Sequence, residues 1–130
     1  MTKNAALVGH AVVGWAVCGG TIAVGRQILS MATTLLMHAI VAPLVFALLS
    51  MHFFRRYPAM SPLRTSLGFV GIVVALDVLV VAPLIERSYV MFTSPLGTWI
   101  PFASIWLSSL LVGETWQQRQ ARHQRQTRQA

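Results

Sequence analysis

Apolar residues fill four long segments of this chain, and short polar clusters separate them. An α-helix rises about 1.5 Å per residue, so about 20 consecutive apolar residues can cross the hydrocarbon core of a bilayer. Four segments reach that length, and we predict membrane-spanning helices over residues 5–25, 30–52, 66–85 and 90–113. The pattern predicts an all-α polytopic membrane protein: an antiparallel four-transmembrane-helix bundle over residues 1–115, followed by a basic polar tail over 116–130.

Composition supports the bilayer as the solvent of this chain. Only 10% of its 130 residues are charged, whereas about 25% is usual for a soluble domain. Three residues are acidic: Asp77, Glu86 and Glu114. The single cysteine, Cys18, excludes an internal disulfide and any zinc motif built on paired cysteines.

The basic residues indicate how the helices are oriented. Four predicted spans leave both termini and the central loop on one side of the membrane, and that side holds Lys3, Arg55, Arg56, Arg64, Arg119, Arg122, Arg125 and Arg128. Only Arg26 and Arg87 lie on the other side. Because positive residues favour the cytoplasm, we expect both termini there. We expect the tail to contact anionic lipid head groups, and we expect no nucleic acid partner.

Polar side chains from all four predicted helices fall into one layer, roughly 10–14 Å below the outer interface by the helical rise. We take this layer as a candidate binding site, and its members are Cys18, Thr34, His38, Asp77, Thr98 and Trp99. Asp77 is the strongest candidate because an ionised carboxylate at that depth costs about 3 kcal/mol and therefore needs a partner. By depth, we expect His38 to be that partner. The pair would handle protons or border a pocket; alternatively, it would only fix the register of the helices.

Two further groupings have both a structural and a functional interpretation. Arg26 and Glu86 are expected to form an ion pair at the outer rim, which either clamps the helix ends or orients an anionic head group. The similar depth of His10 and His52 is geometrically compatible with ligation of one haem, whereas His38 and His52 are about 21 Å apart along one helix and are not. No local motif supports a metal site, so we predict neither metal nor cofactor.

Four segments carry a resemblance: "GHAVVGWAVCGG", "TTLLMHAIVAPLVF", "LDVLVVAPLIERSYVMF" and "GTWIPF". They resemble small, uncharacterised four-span bacterial integral membrane proteins, over nearly the whole chain outside the tail. The resemblance implies a membrane bundle and no particular activity. The size is also similar to that of small multidrug transporters, but those carry an essential glutamate in the first span, which this chain lacks.

These observations leave three classes of function open for a protein of the bacterial inner membrane. The leading hypothesis is a small-molecule or proton-linked binding or transport protein, for which a homodimer is one arrangement because so small a bundle encloses little volume. The second is an intramembrane enzyme or redox subunit that acts on a lipid or quinone through His38 and Asp77. The third is a non-catalytic subunit of a membrane complex, in which the small-residue faces serve as partner interfaces.

Overall fold

The computed structural model describes residues 2–130, which form an all-α four-helix bundle as predicted. The helices are α1 (Lys3–Ile28), α2 (Met31–Arg56), α3 (Pro62–Leu76) and α4 (Ile100–Gln129). α3 continues directly into a π-helical segment over Asp77–Glu86. A 3₁₀ turn (Val90–Thr93) and a π-helical turn (Pro95–Trp99) then lead into α4.

Within residues 2–130, four helical runs are long and apolar enough to cross a membrane: Lys3–Ile28, Met31–Arg56, Pro62–Glu86 and Pro95–Gln129. Their outward faces carry large exposed apolar side chains, among them Val24, Leu48, Leu79 and Leu111. Such a surface is unfavourable in water and suits contact with lipid chains. The chain is a multi-pass membrane protein.

The helix that contains the last predicted span, 90–113, begins after residue 90 and continues past residue 113. The 3₁₀ turn at Val90–Thr93 lies outside the long helix, which starts at Pro95 because Ser94 ends one element and caps the next. At the other end, α4 continues to Gln129, so the basic tail is an exposed helical extension.

Two Ser-Pro pairs explain where the third and fourth spans start. The Ser61 hydroxyl accepts a hydrogen bond from the backbone N–H of Arg64, and the Ser94 hydroxyl accepts one from Gly97. Each serine is followed by a proline (Pro62 and Pro95), whose missing N–H costs nothing in the first turn. The sequence "SPL" therefore marks a helix start both times.

The four helices pack as a square. α1 contacts α2 and α3, and α4 contacts the same two helices, so α1 and α4 occupy opposite corners. The short connections after Ile28 and Arg56 reverse the chain direction each time. As a result α1 runs parallel to α3 and antiparallel to α2.

An aromatic cluster fills the half of the bundle nearer the α2–α3 connection. Phe46, Phe53, Phe54 and Phe69 are fully buried. Phe69 of α3 meets the ring of Phe46 at a centroid distance of 5.6 Å and that of Phe53 at 5.9 Å, in both cases edge to face. Offset and edge-on ring pairs of this kind stabilise the contact between helices beyond the area that they bury.

Glycine lets α1 approach α2 at the edge of this cluster. A Cβ atom on Gly14 would lie 2.5 Å from Cζ of Phe46, which has no room to withdraw because its ring is fully buried. A Cβ atom on Gly19 of the same helix would meet nothing within 4 Å. Small residues at close helix contacts are a general feature of membrane bundles.

We therefore expect Gly14→Ala to lower the free energy of unfolding by about 1–3 kcal/mol, the usual cost of overpacking. Gly19→Ala, the matched control, should be neutral or slightly stabilising, because alanine favours helix more than glycine does. Reversible unfolding by sodium dodecyl sulfate in mixed micelles measures both. Equal stabilities for the two variants would contradict the close packing of α1 on α2.

Candidate functional site

The carboxylate of Asp77 receives a hydrogen bond from a tryptophan of another helix. The indole Nε1–H of Trp15, on α1, donates to Oδ1 of Asp77 at 2.9 Å. Both side chains are partly buried between α1 and the end of α3. An indole N–H within a membrane has few acceptors available, and a carboxylate there has few donors, so each group satisfies the other.

The backbone changes geometry at the same residue. Asp77 is the first residue of the π-helical segment, and its N–H is shared between the carbonyl oxygens of Val73 and Val74. Pro83, further along the segment, has no N–H to give to the carbonyl of Val78; instead the hydroxyl of Tyr89 approaches that oxygen at 3.5 Å. Departures from α-helical geometry inside a helix are frequent at functional sites.

The partner expected from the sequence, His38, does not make this hydrogen bond. Among residues 2–130, no hydrogen bond joins His38 to Asp77, and Nδ1 of His38 has no partner. His38 lies on α2 with only 7% of its surface exposed. Depth alone suggested the pairing with Asp77, but α1, rather than α2, is the neighbour that presents a donor to the carboxylate.

The remaining members of the predicted layer divide into two groups. Cys18 is buried one turn along α1 from Trp15, so its thiol lies on the same side of that helix. Thr34, Thr98 and Trp99 instead donate to backbone carbonyl oxygens, those of Ser30, Met91 and Phe92 respectively. These three side chains shape the helix ends, and their polar hydrogens are not free for a ligand.

The site that emerges is smaller than the predicted layer, and it includes one residue that sequence reasoning missed. It consists of the bonded pair Trp15 and Asp77, with Cys18 one turn along α1. The imidazole of His38 is buried on α2, and no hydrogen bond within residues 2–130 joins it to the pair. A signal for Trp15 was available in the sequence. Its indole lies deep inside the first apolar segment, where the N–H requires an acceptor.

Arg26 and Glu86 do meet at the end of the bundle where α1 and the π-helical segment stop. Nη1 of Arg26 donates to Oε1 of Glu86 at 2.8 Å, and the side chains are 45% and 36% exposed. The next residue, Arg87, has a left-handed backbone with φ of 52°, and its N–H bonds to the carbonyl of Ala82, which terminates the helix. This geometry ties the ends of two spans together.

His10 and His52 come together near the opposite end. Their rings stack with centroids 5.2 Å apart and planes inclined by 27°. The nitrogen lone pairs of stacked rings lie in two nearly parallel planes and do not point at one another across a gap. This arrangement does not suit axial ligation of one haem, and within residues 2–130 no three metal-ligating side chains cluster.

Loss of the indole donor should weaken the bundle. Trp15→Phe keeps most of the ring volume but leaves the Asp77 carboxylate without its donor, so we expect the free energy of unfolding to fall by about 1–3 kcal/mol. Trp106→Phe is the matched control: Nε1 of Trp106 is buried without a hydrogen-bond partner, so removing it should cost little. Unfolding in mixed micelles should separate the two variants; a loss in Trp106→Phe as large as in Trp15→Phe would contradict a specific role for the bond.

Glu86→Gln should change the free energy of unfolding by less than about 1 kcal/mol, since an exposed ion pair contributes little to stability. The same unfolding titration measures this change. A loss above 2 kcal/mol would show that the Arg26–Glu86 pair is a principal clamp of the bundle.

Comparison with known proteins adds no relative from which a role could be transferred: no family model matches the chain, and no curated protein or solved structure is significantly similar to it.

Proposed function

We propose that this protein binds a small organic cation at Asp77 and exchanges it for a proton, as a small membrane binding or transport protein. The observation that carries the proposal is the hydrogen bond from Trp15 to Asp77 inside the membrane-spanning region. A carboxylate in a span is energetically costly and is usually retained for a function. One indole donor satisfies only part of its hydrogen-bonding capacity.

The charge of the site argues for a positive ligand. Asp77 is the only acidic residue in the middle of a span: Glu86 closes the π-helical segment, and Glu114 lies just beyond the predicted span 90–113 on an exposed part of α4. No arginine or lysine lies within the spans near Asp77 to neutralise it. A proton or an organic cation can supply the missing charge, and the indole face adds a surface that attracts cations.

The backbone around Asp77 gives the site a means of changing shape. The change from α- to π-helical geometry at Asp77, together with Pro83 six residues later, weakens the regular hydrogen bonding of this half of the span. A local rearrangement there would alter the position of the carboxylate without unfolding the bundle. Binding of a cation in place of a proton is the event that would drive it.

The setting of the protein is part of the proposal. The distribution of basic residues supports an orientation with both termini in the cytoplasm, and the bacterial inner membrane is the location that we propose. The exposed helical end of α4, with four arginines, would then lie on anionic head groups of the inner leaflet. One bundle of this size encloses little volume, and in a homodimer the helices of a second copy would help to enclose the ligand.

A second candidate has one observation in its favour. His38 is buried without a partner for Nδ1, which suits a proton donor or acceptor in an enzyme that acts on a lipid or quinone. In that case His38→Ala would abolish turnover of the bound lipid. Under the leading proposal it would only modify cation affinity.

The test uses the full chain in lipid nanodiscs with tetraphenylphosphonium as the probe. We expect saturable binding by calorimetry, release of about one proton per cation, and weaker binding at low pH, where a protonated carboxyl cannot pair with the cation. Asp77→Asn should lower the affinity at least about tenfold, because it removes the charge. The amide oxygen can still accept from Trp15, so the variant should remain folded.

Glu114→Gln is the matched control, since it makes the same chemical change on an exposed turn of α4. It should bind as the unmodified chain does. Equal binding by both variants, or no proton release, would overturn the proposal. Tolerance of Asp77→Asn in every assay would instead favour a structural role for the pair.

A further inference from the structure

A groove lies between α1 and α2 on a different face of α1 from the one that carries Trp15. It has a volume of about 600 Å³ and is open on one side. His10, His52, Arg56 and Tyr57 supply its polar wall, and Val13 and Leu49 supply its apolar wall. A volume of this size is typical of small-molecule sites.

The polarity of the groove changes with depth. Arg56 is the last residue of α2, His52 lies one turn further in, and Leu49 lies about 10 Å from Arg56 along the helix. On α1 the order is the same, since His10 precedes Val13 on the way into the bilayer. The groove therefore has a polar, cationic mouth at the membrane surface and an apolar end within the hydrocarbon.

The polar groups at the mouth match an anion. No acidic residue lines the groove. The only salt bridge within residues 2–130 joins Arg26 to Glu86, so the guanidinium of Arg56 has no carboxylate partner there. Nδ1–H of His10 donates to the carbonyl of Ala6 at 2.7 Å, which fixes the ring and leaves Nε2 as its other polar atom.

The open wall of the groove is made by glycine. A Cβ atom on Gly9 would meet nothing within 4 Å, so this residue leaves space beside the two histidine rings. Val13, one turn deeper on α1, is 54% exposed, which gives an acyl chain an apolar surface to lie on.

From this arrangement we propose that the groove is a binding site for an anionic phospholipid. The phosphate group lies between Arg56 and the His10–His52 pair, and one acyl chain follows Val13 and Leu49 into the bilayer. The guanidinium donates paired hydrogen bonds to the phosphate oxygens. The site is independent of the cation site proposed at Asp77, because it uses the opposite face of α1 and ligands of the opposite charge.

The experiment measures lipid retained by the purified full chain in detergent micelles, by native mass spectrometry. Dioleoyl phosphatidylglycerol should bind at one molecule per chain, and dioleoyl phosphatidylcholine, which has the same chains and no net charge, should bind at least about tenfold more weakly. Inorganic phosphate, which has the charge without the chains, should not displace the lipid at equal concentration. Equal retention of the two lipids would overturn the proposal.

Two pairs of variants locate the site. Arg56→Gln should lower retention of phosphatidylglycerol about tenfold, as expected for loss of a charged hydrogen bond, while Arg55→Gln, the neighbouring arginine outside the groove, should not. Gly9→Leu should fill the groove and block binding, while Gly20→Leu, at an equally open position deeper on the same helix, should not.

Equal effects of Arg55→Gln and Arg56→Gln would mean general attraction of lipid to a basic surface, and the proposal would be wrong. Normal binding by Gly9→Leu would also overturn it, because Gly9 lines the groove and a Cβ atom there meets nothing within 4 Å. Asp77→Asn should retain phosphatidylglycerol unchanged, so failure of the cation proposal does not affect this result.

Discussion

Hydrocarbon offers no hydrogen-bond partners, and this constraint governs the rest of the structure. Backbone groups inside the spans, and a charged side chain above all, therefore depend on partners that the chain itself supplies. The backbone meets the requirement by staying helical and by capping its starts with Ser61 and Ser94. The hydroxyls of Thr21 and Thr34 each donate to the carbonyl group one turn earlier, those of Val17 and Ser30. The carboxylate of Asp77 cannot be satisfied locally, and it takes its donor from another helix.

The Trp15–Asp77 bond consequently fixes how α1 and α3 are rotated relative to each other. Each side chain points to the other only in one register of the two helices, whereas apolar contacts between helices tolerate many registers. The close approach of Gly14 to Phe46 fixes the contact of α1 with α2, and the packing of Phe53 on Phe69 fixes that of α2 with α3. One face of α1 thus carries the tryptophan that donates to Asp77, and another face borders the open groove beside Gly9.

Much of this fold could be predicted from the sequence because hydropathy is a local property. Four apolar runs separated by polar turns predict four spans, and the Ser-Pro pairs mark two of their starts. The partner of Asp77 could not be predicted in this way, since it depends on helix rotation rather than on depth. His38 lies at a suitable depth but on α2, whereas Trp15 lies on α1 with its indole toward the acid. The π-helical segment was also hidden, because nothing in "DVLVVAPLIE" distinguishes it from an ordinary apolar helix except Pro83.

The central claim is that a tryptophan N–H satisfies a carboxylate inside the membrane. Nitrogen-15 NMR of indole-labelled protein in nanodiscs tests it most directly, with the Trp15 signal assigned by its absence in Trp15→Phe. We predict that Nε1–H of Trp15 exchanges slowly with water and that its resonance shifts in Asp77→Asn, while the signals of Trp99, Trp106 and Trp116 stay in place. An indole N–H of Trp15 that exchanges freely with water, and whose resonance does not shift in Asp77→Asn, would contradict this claim.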